Sequence, residues 1–131
     1  MKNTLLDNFY SETFSSFAET NQHEFKSEIR LNPSHPVYKG HFEQVPVAPG
    51  VCLVQVIKEI LMDKFREELT LTSGDNIKFL ALINPAENPD YLISFNVKKS
   101  DKVLEVSASY TSNGITYVKF KGRFQTGIQL P

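Results

Sequence analysis

Three stretches of the chain alternate apolar and polar residues with period two. They are residues 91–98 (YLISFNVK), 102–110 (KVLEVSASY) and 115–125 (ITYVKFKGRFQ). That alternation predicts strands with one buried face. Residues 9–18 (FYSETFSSFA) and 24–31 (EFKSEIRL) alternate only in part, but they are rich in aromatic and β-branched residues. They read as two further strands joined by the polar turn Glu19 to His23. Residues 77–84 (IKFLALIN) are mostly apolar and read as another strand. Between these β segments the period changes. Leu53, Val54, Ile57, Ile60, Leu61 and Phe65 fall on one helical face, which predicts a helix from Val51 to about Glu67. Pro49 suits its first turn, where a missing N–H costs little. Residues 32–50 hold four prolines and two glycines, a spacing that neither a helix nor a central strand tolerates, so this segment reads as an ordered loop. Asn113-Gly114 is a hairpin turn signal, since both residues tolerate positive φ.

One long helix between early and late strands predicts a single α+β domain over residues 1–131. Its strands would form a curved antiparallel sheet wrapped around the helix, although the pattern alone also fits other α+β sandwiches of this order. The composition agrees with a folded domain, at 40% hydrophobic and 22% charged residues in a chain of 131. The net charge of −1 gives no sign of bulk nucleic-acid binding. A single cysteine, Cys52, leaves no internal disulfide to form and fits a cytoplasmic setting. No segment approaches the roughly 18 apolar residues of a membrane helix, and Met1 to Tyr10 lack the features of a signal peptide. His23 and His35 have no partners at metal-ligand spacing, so neither a metal nor another cofactor is expected.

The segment His35 to Gln55 (HPVYKGHFEQVPVAPGVCLVQ) carries the most specific signal. Gly40, His41 and Phe42, followed in register by Pro46, Val47, Pro49, Gly50 and Val51, resemble the active-site segment of the 3-hydroxyacyl-[acyl-carrier-protein] dehydratases. That resemblance implies a hotdog fold, in which the sheet wraps the long helix. It implies activity on acyl thioesters, linked to acyl carrier protein or to coenzyme A, in fatty acid or related acyl-chain synthesis. Two positions depart from the family pattern: Glu43 replaces a proline, and Gln55 replaces the acidic residue five positions beyond the last glycine.

Dehydration of a 3-hydroxyacyl thioester needs a base for the α proton, donors for the enolate-like oxygen and an acid for the leaving hydroxyl. By resemblance His41 is the base, and imidazole titrates in the range that role needs. Gly50 and Val51, with Pro49 and Phe42, would bind the substrate, the thioester oxygen lying at the positive end of the helix. Gln55 occupies the position of the acid. A primary amide donates a hydrogen bond but gives up no proton at neutral pH, so weak or absent turnover is expected. On a helical wheel Gln55 lies away from Leu53, Ile57 and Ile60, which also fits a solvated polar residue. Glu59 and Glu43 read as solvated surface acids, and Cys52 as a buried inert thiol.

On the last strand Lys119, Lys121 and Arg123 alternate with Val118, Phe120 and Phe124. This positive face, and Lys39 beside the motif, are candidate docking points for an acidic carrier protein; the plainer reading of the strand is a solubilising surface. The resemblance further implies a homodimer or higher oligomer in which each site joins the histidine of one protomer to residue 55 of the other. It also allows a heterodimer with an intact dehydratase. The alternatives are a non-catalytic acyl-thioester-binding or partner subunit, favoured by Gln55, and an acyl thioesterase on the same scaffold.

Overall fold

The helical periodicity is realised as α1, Gly50–Phe65, in a computed structural model that describes residues 7–39 and 45–127. Cys52, Leu53, Val56, Ile57, Ile60 and Leu61 are its buried apolar residues. The helix ends two residues short of the expected Glu67, because Arg66 adopts the left-handed conformation that terminates helices.

Six strands surround it: β1 (Tyr10–Ser15), β2 (Glu24–Leu31), β3 (Leu69–Phe79), β4 (Asp90–Ser100), β5 (Val103–Ser112) and β6 (Ile115–Thr126). They form one curved antiparallel sheet in the order β1-β2-β4-β5-β6-β3. The alternation read from the sequence sets its two faces. Phe25, Ile29, Leu31, Ile93, Phe95, Val97, Leu104, Val106, Val118, Phe120 and Phe124 point inward and are buried with the helix. The charged residues between them face out. Asn113 and Gly114 both carry positive φ, 51° and 77°, and close the β5–β6 hairpin as their types require.

The strand expected at 77–84 is displaced. β3 begins at Leu69, and its register with β6 runs from Leu69 opposite Thr126 to Phe79 opposite Val118. The register shifts between Leu71 and Ser73 and again between Gly74 and Asn76, and these irregularities break the period-two pattern that would have announced the strand. Pairing stops where the N–H groups of Leu80 and Ala81 converge on the Tyr117 carbonyl, at 2.8 and 3.3 Å. The apolar run then continues as a loop, and Leu82 is 76% exposed. β1 is also shorter than residues 9–18: it stops at Ser15, and Ala18 and Asn21 meet in an isolated bridge. Among the described residues no helix is long and apolar enough to cross a membrane.

Candidate functional site

The 32–50 loop reaches the helix through backbone contacts that its prolines leave available. His35 caps a short 3-10 turn at Pro36–Tyr38: its Nδ1 accepts from the Val37 N–H at 3.0 Å, while Nε2 lies 3.0 Å from the Asp7 carbonyl oxygen. With Nδ1 accepting, Nε2 is the nitrogen left to donate to the Asp7 carbonyl, and holding the turn accounts for this histidine. Further on, the Ala48 N–H donates to the Ile83 carbonyl at 2.9 Å and ties the loop to the segment after β3. Pro49 is the helix N-cap, in extended conformation. Its carbonyl accepts from the N–H groups of both Cys52 and Leu53, at 3.0 and 3.2 Å. Gly50 and Val51 thus keep the two first-turn N–H groups that have no acceptor inside the helix, at its positive end.

A cleft of about 320 Å³ opens beside this helix start, lined by Val37, Val47, Pro49, Leu53, Phe79 and Leu82 among others. The Phe79 ring rests on Gly50, where a Cβ would lie 2.6 Å from its Cζ. A side chain at 50 would fit only if that ring moved aside. The Val51 side chain is 77% exposed. An apolar cleft ending at N–H groups with no acceptor among the described residues suits a ligand with a hydrocarbon tail and a polarisable carbonyl.

Gln55 lies one turn further along α1 and is half-buried. It is not a solvated residue: its Nε2 donates to Oε2 of Glu59 at 3.1 Å. Glu59, expected at the surface, is only 2% exposed. The correction has a steric cause. The Gln55–Glu59 stripe of the helix turns toward β1, and Tyr10 of that strand hydrogen-bonds Glu59. Burial, with the Glu59 charge next, pushes the Tyr10 hydroxyl far above the usual phenol range. Tyr110 on β5 donates to the Leu53 carbonyl at 2.6 Å, and complete burial holds its hydroxyl protonated as well. Towards the helix C-terminus, Lys64 meets Glu12 of β1 at 2.6 Å, and Glu12 also accepts from the buried Ser27 hydroxyl at 2.6 Å. The helix thus presents an apolar face to the sheet centre and a polar seam to its β1 edge.

Cys52 is buried, and burial raises its thiol above the ordinary range, as an inert thiol requires. Lys39 is exposed just after the 3-10 turn. Lys119, Lys121 and Arg123 are exposed on the outer face of β6, on the far side of the sheet from α1. With Lys26 and Lys78, Lys119 and Lys121 border a shallow groove of about 720 Å³ floored by Ser94, Ser107 and Ser109. Arg123 lies instead beside Asp75 at 3.7 Å. Gly40, His41, Phe42 and Glu43 lie outside the described residues. The structure therefore places Pro49 and Gly50 at the cleft, leaves the Val51 side chain exposed on the first turn, sets Gln55 on the β1-facing side of α1, and keeps the β6 cations apart from all of them. Phe79 and Leu82, which line the cleft, were missed; the apolar run 79–83 was the available signal for them, read as a strand.

The family model described as ApeI-like, ApeI dehydratase, matches residues 17–122. No curated protein matches the chain in sequence. Among solved structures, the dehydratase heterocomplex ApeI:P from Xenorhabdus doucetiae aligns with a TM-score of 0.68 at 19% identity, covering 88% of this chain and 96% of its own. An uncharacterised protein from Erwinia carotovora subsp. atroseptica aligns at 0.63 and 19% identity, covering 90% and 95%. A variant of the PpsC dehydratase domain from Mycobacterium tuberculosis aligns at 0.57 and 12% identity, over 90% of this chain and 44% of that one. At these identities the structural neighbours establish the shared hotdog fold.

Proposed function

The chain belongs to the ApeI-like dehydratase family, and from that premise we propose that it binds 3-hydroxyacyl thioesters at the start of α1 and dehydrates them slowly or not at all. The observation that carries this reading is Gln55. It stands where the family's acid would stand, on the β1-facing side of α1, and its amide is held by Glu59. The acyl chain would lie in the apolar cleft, with the thioester oxygen accepting from the first-turn N–H groups. His41 would remove the α proton. The enolate-like oxygen would be stabilised at the helix start, but the 3-hydroxyl would find an amide where a protonated carboxyl is needed. The thioester would arrive on acyl carrier protein or coenzyme A in the cytoplasm, and Lys39 would be the nearest of the candidate cations to the carrier.

A positioned general acid contributes roughly 10²–10⁴-fold, and that factor sets the scale of the test. Purified protein is incubated with a short 3-hydroxyacyl-carrier substrate, and 2-enoyl thioester is followed by mass spectrometry. Gln55→Glu should raise turnover by about that factor. Two carboxyl groups as close as Gln55 and Glu59 now are would share a proton and keep one acid protonated. His41→Ala should abolish the gain. Fast turnover by the wild type, insensitive to His41→Ala, would sink the proposal.

A second reading is favoured by the surface around the cleft. Val45, Val51, Phe79, Leu80 and Leu82 are all more than half exposed, and β3 is an open edge of the sheet. Such a surface asks for cover. A second copy of the chain would set His41 of one protomer against Gln55 of the other. An intact dehydratase would supply the missing carboxyl instead, as a partner in a heterodimer; the Xenorhabdus neighbour is itself a heterocomplex. Mass measurement of the native assembly separates the two, since only a heterodimer contains a second chain species.

A further inference from the structure

The outer face of the sheet, on the far side from α1, holds the groove of about 720 Å³. The strand registers lay out its floor as rows. Lys26 on β2, Ser94 on β4, Ser109 on β5, Lys119 on β6 and Lys78 on β3 are successive cross-strand partners. In the next row Asn96, Ser107 and Lys121 follow one another in the same way. Phe25, Phe95 and Phe120 alternate with these residues and turn their rings into the core. The floor is thus made of short hydroxyls and amides without an apolar anchor. The cations stand unevenly around it. Lys78 is directly opposite Lys119, and Lys121 lies two residues along the same face of β6. Neighbouring strands are roughly 4.8 Å apart and alternate residues about 7 Å, so three ammonium groups share one end. Lys26 is three strands away, roughly 14 Å, with Glu24 beside it as the one acid in the lining. Arg30, Lys64, Lys99 and Arg123 each meet a carboxylate. None of the four groove lysines does so among the described residues, and the three serine hydroxyls bond no protein group there. Like charges directly opposite each other destabilise a sheet, and an anion laid between Lys78 and Lys119 would reverse that.

We propose that this groove binds a small organic anion carrying two phosphate groups, one among Lys78, Lys119 and Lys121 and the other at Lys26, with a hydroxyl-bearing body on the serine floor. Lysine holds phosphate as a point charge, and long side chains leaning inward shorten the span between the two ends. A serine hydroxyl both donates and accepts, which matches the hydroxyls of a sugar-like body. Macromolecules fit less well. The centre of a protein interface takes aromatic or aliphatic anchors, and a single nucleic-acid strand takes rings to stack on; the groove presents neither. The site is independent of the cleft at the start of α1 and does not rest on the thioester reading.

The experiment uses the full chain at low ionic strength, with affinities measured by calorimetry for fructose bisphosphate, fructose and inorganic pyrophosphate. Fructose bisphosphate should bind, pyrophosphate should bind more weakly because it leaves the serines unused, and fructose should not bind. Lys119→Gln should weaken the bisphosphate by about fivefold, the scale of one solvent-facing ion pair, and Lys78→Gln with Lys119→Gln should weaken it further. Lys102→Gln removes the same charge from the turn before β5, outside the groove, and should leave the affinity unchanged. Urea midpoints of the groove variants should equal or exceed that of the wild type, since Lys78→Gln relieves a like-charge contact; lost binding is then not lost folding. Absence of bisphosphate binding, pyrophosphate binding as tightly as the bisphosphate, or an equal loss in Lys102→Gln overturns the proposal. Stronger binding of an acidic peptide or a short DNA duplex overturns it too, by making the groove a docking surface for a macromolecule.

Discussion

At Gly50 an added Cβ would meet the far end of the Phe79 ring, which is itself half exposed and free to swing. At Gly122, on the inward face of β6, the same Cβ would lie 2.6 Å from the Ser73 carbonyl oxygen and 2.8 Å from Cζ of the buried Phe120. Backbone in a paired strand does not swing. Gly50→Ala should therefore cost less than about 1 kcal/mol of stability, and Gly122→Ala about 1–3 kcal/mol, the range of core overpacking. Urea unfolding of the two variants decides the matter, and equal losses would contradict it. At this scale the sequence was legible where a residue type has one use. The Asn113-Gly114 turn could be read directly. Glu59 could not, because a glutamate on a helix looks the same whether its face meets water or a strand from elsewhere in the chain. Only the passage of β1 over that stripe buries it.

β1 is an edge strand, paired only with β2, and the register slips between Glu12 and Phe14. Its attachment to the helix rests on side chains: Tyr10 against Glu59, and Glu12 against Lys64. The Lys64–Glu12 pair is largely out of water, with side chains 14% and 16% exposed. Removing Lys64 strands the Glu12 charge, leaving it the Ser27 hydroxyl as donor. Lys64→Met is expected to cost about 3 kcal/mol, the low end for broken buried pairs, and to raise hydrogen exchange in β1 before any other strand. Uniform exchange across the sheet would argue against so local a role. The elements themselves were mostly legible. The helix and the three C-terminal strands follow unbroken periodicities, and the structure keeps them within a few residues. β3 was not legible because Ser73, Gly74, Asp75 and Asn76 interrupt it at its irregularities. The apolar residues that looked like its replacement are exposed because they border the cleft.

For the whole molecule, four phenols, three buried and Tyr10 partly so, decide the response to alkali. Burial pushes Tyr38 and Tyr91 up to about 12, and holds Tyr10 and Tyr110 well above the usual phenol range too. In the unfolded chain all four return to about 10. Below that pH they are neutral in both states, and their contribution is fully present. Above it the unfolded chain releases protons that the native state retains, so stability falls as pH rises from about 10 towards 12. The urea midpoint should be steady from pH 8 to 9.5 and lower at pH 11. Tyr91→Phe should make the alkaline loss shallower. A midpoint unchanged at pH 11 would show that these hydroxyls ionise freely.

The strand order also fixes how the chain can reach its native state. β4, β5 and β6 are successive hairpins, each closed by a short turn. β2, in contrast, finds β4 across the entire helix, with Arg30 and Asp90 paired 60 residues apart. β3 must reach past two strands to lie beside β6. Closing such loops costs entropy before any contact repays it. The C-terminal meander is therefore the natural nucleus, the helix settles onto its apolar face next, and the outer strands arrive last. The polar seam under β1 then forms at the end of folding, so Gln55 acquires its fixed orientation only when the rest of the domain is already built.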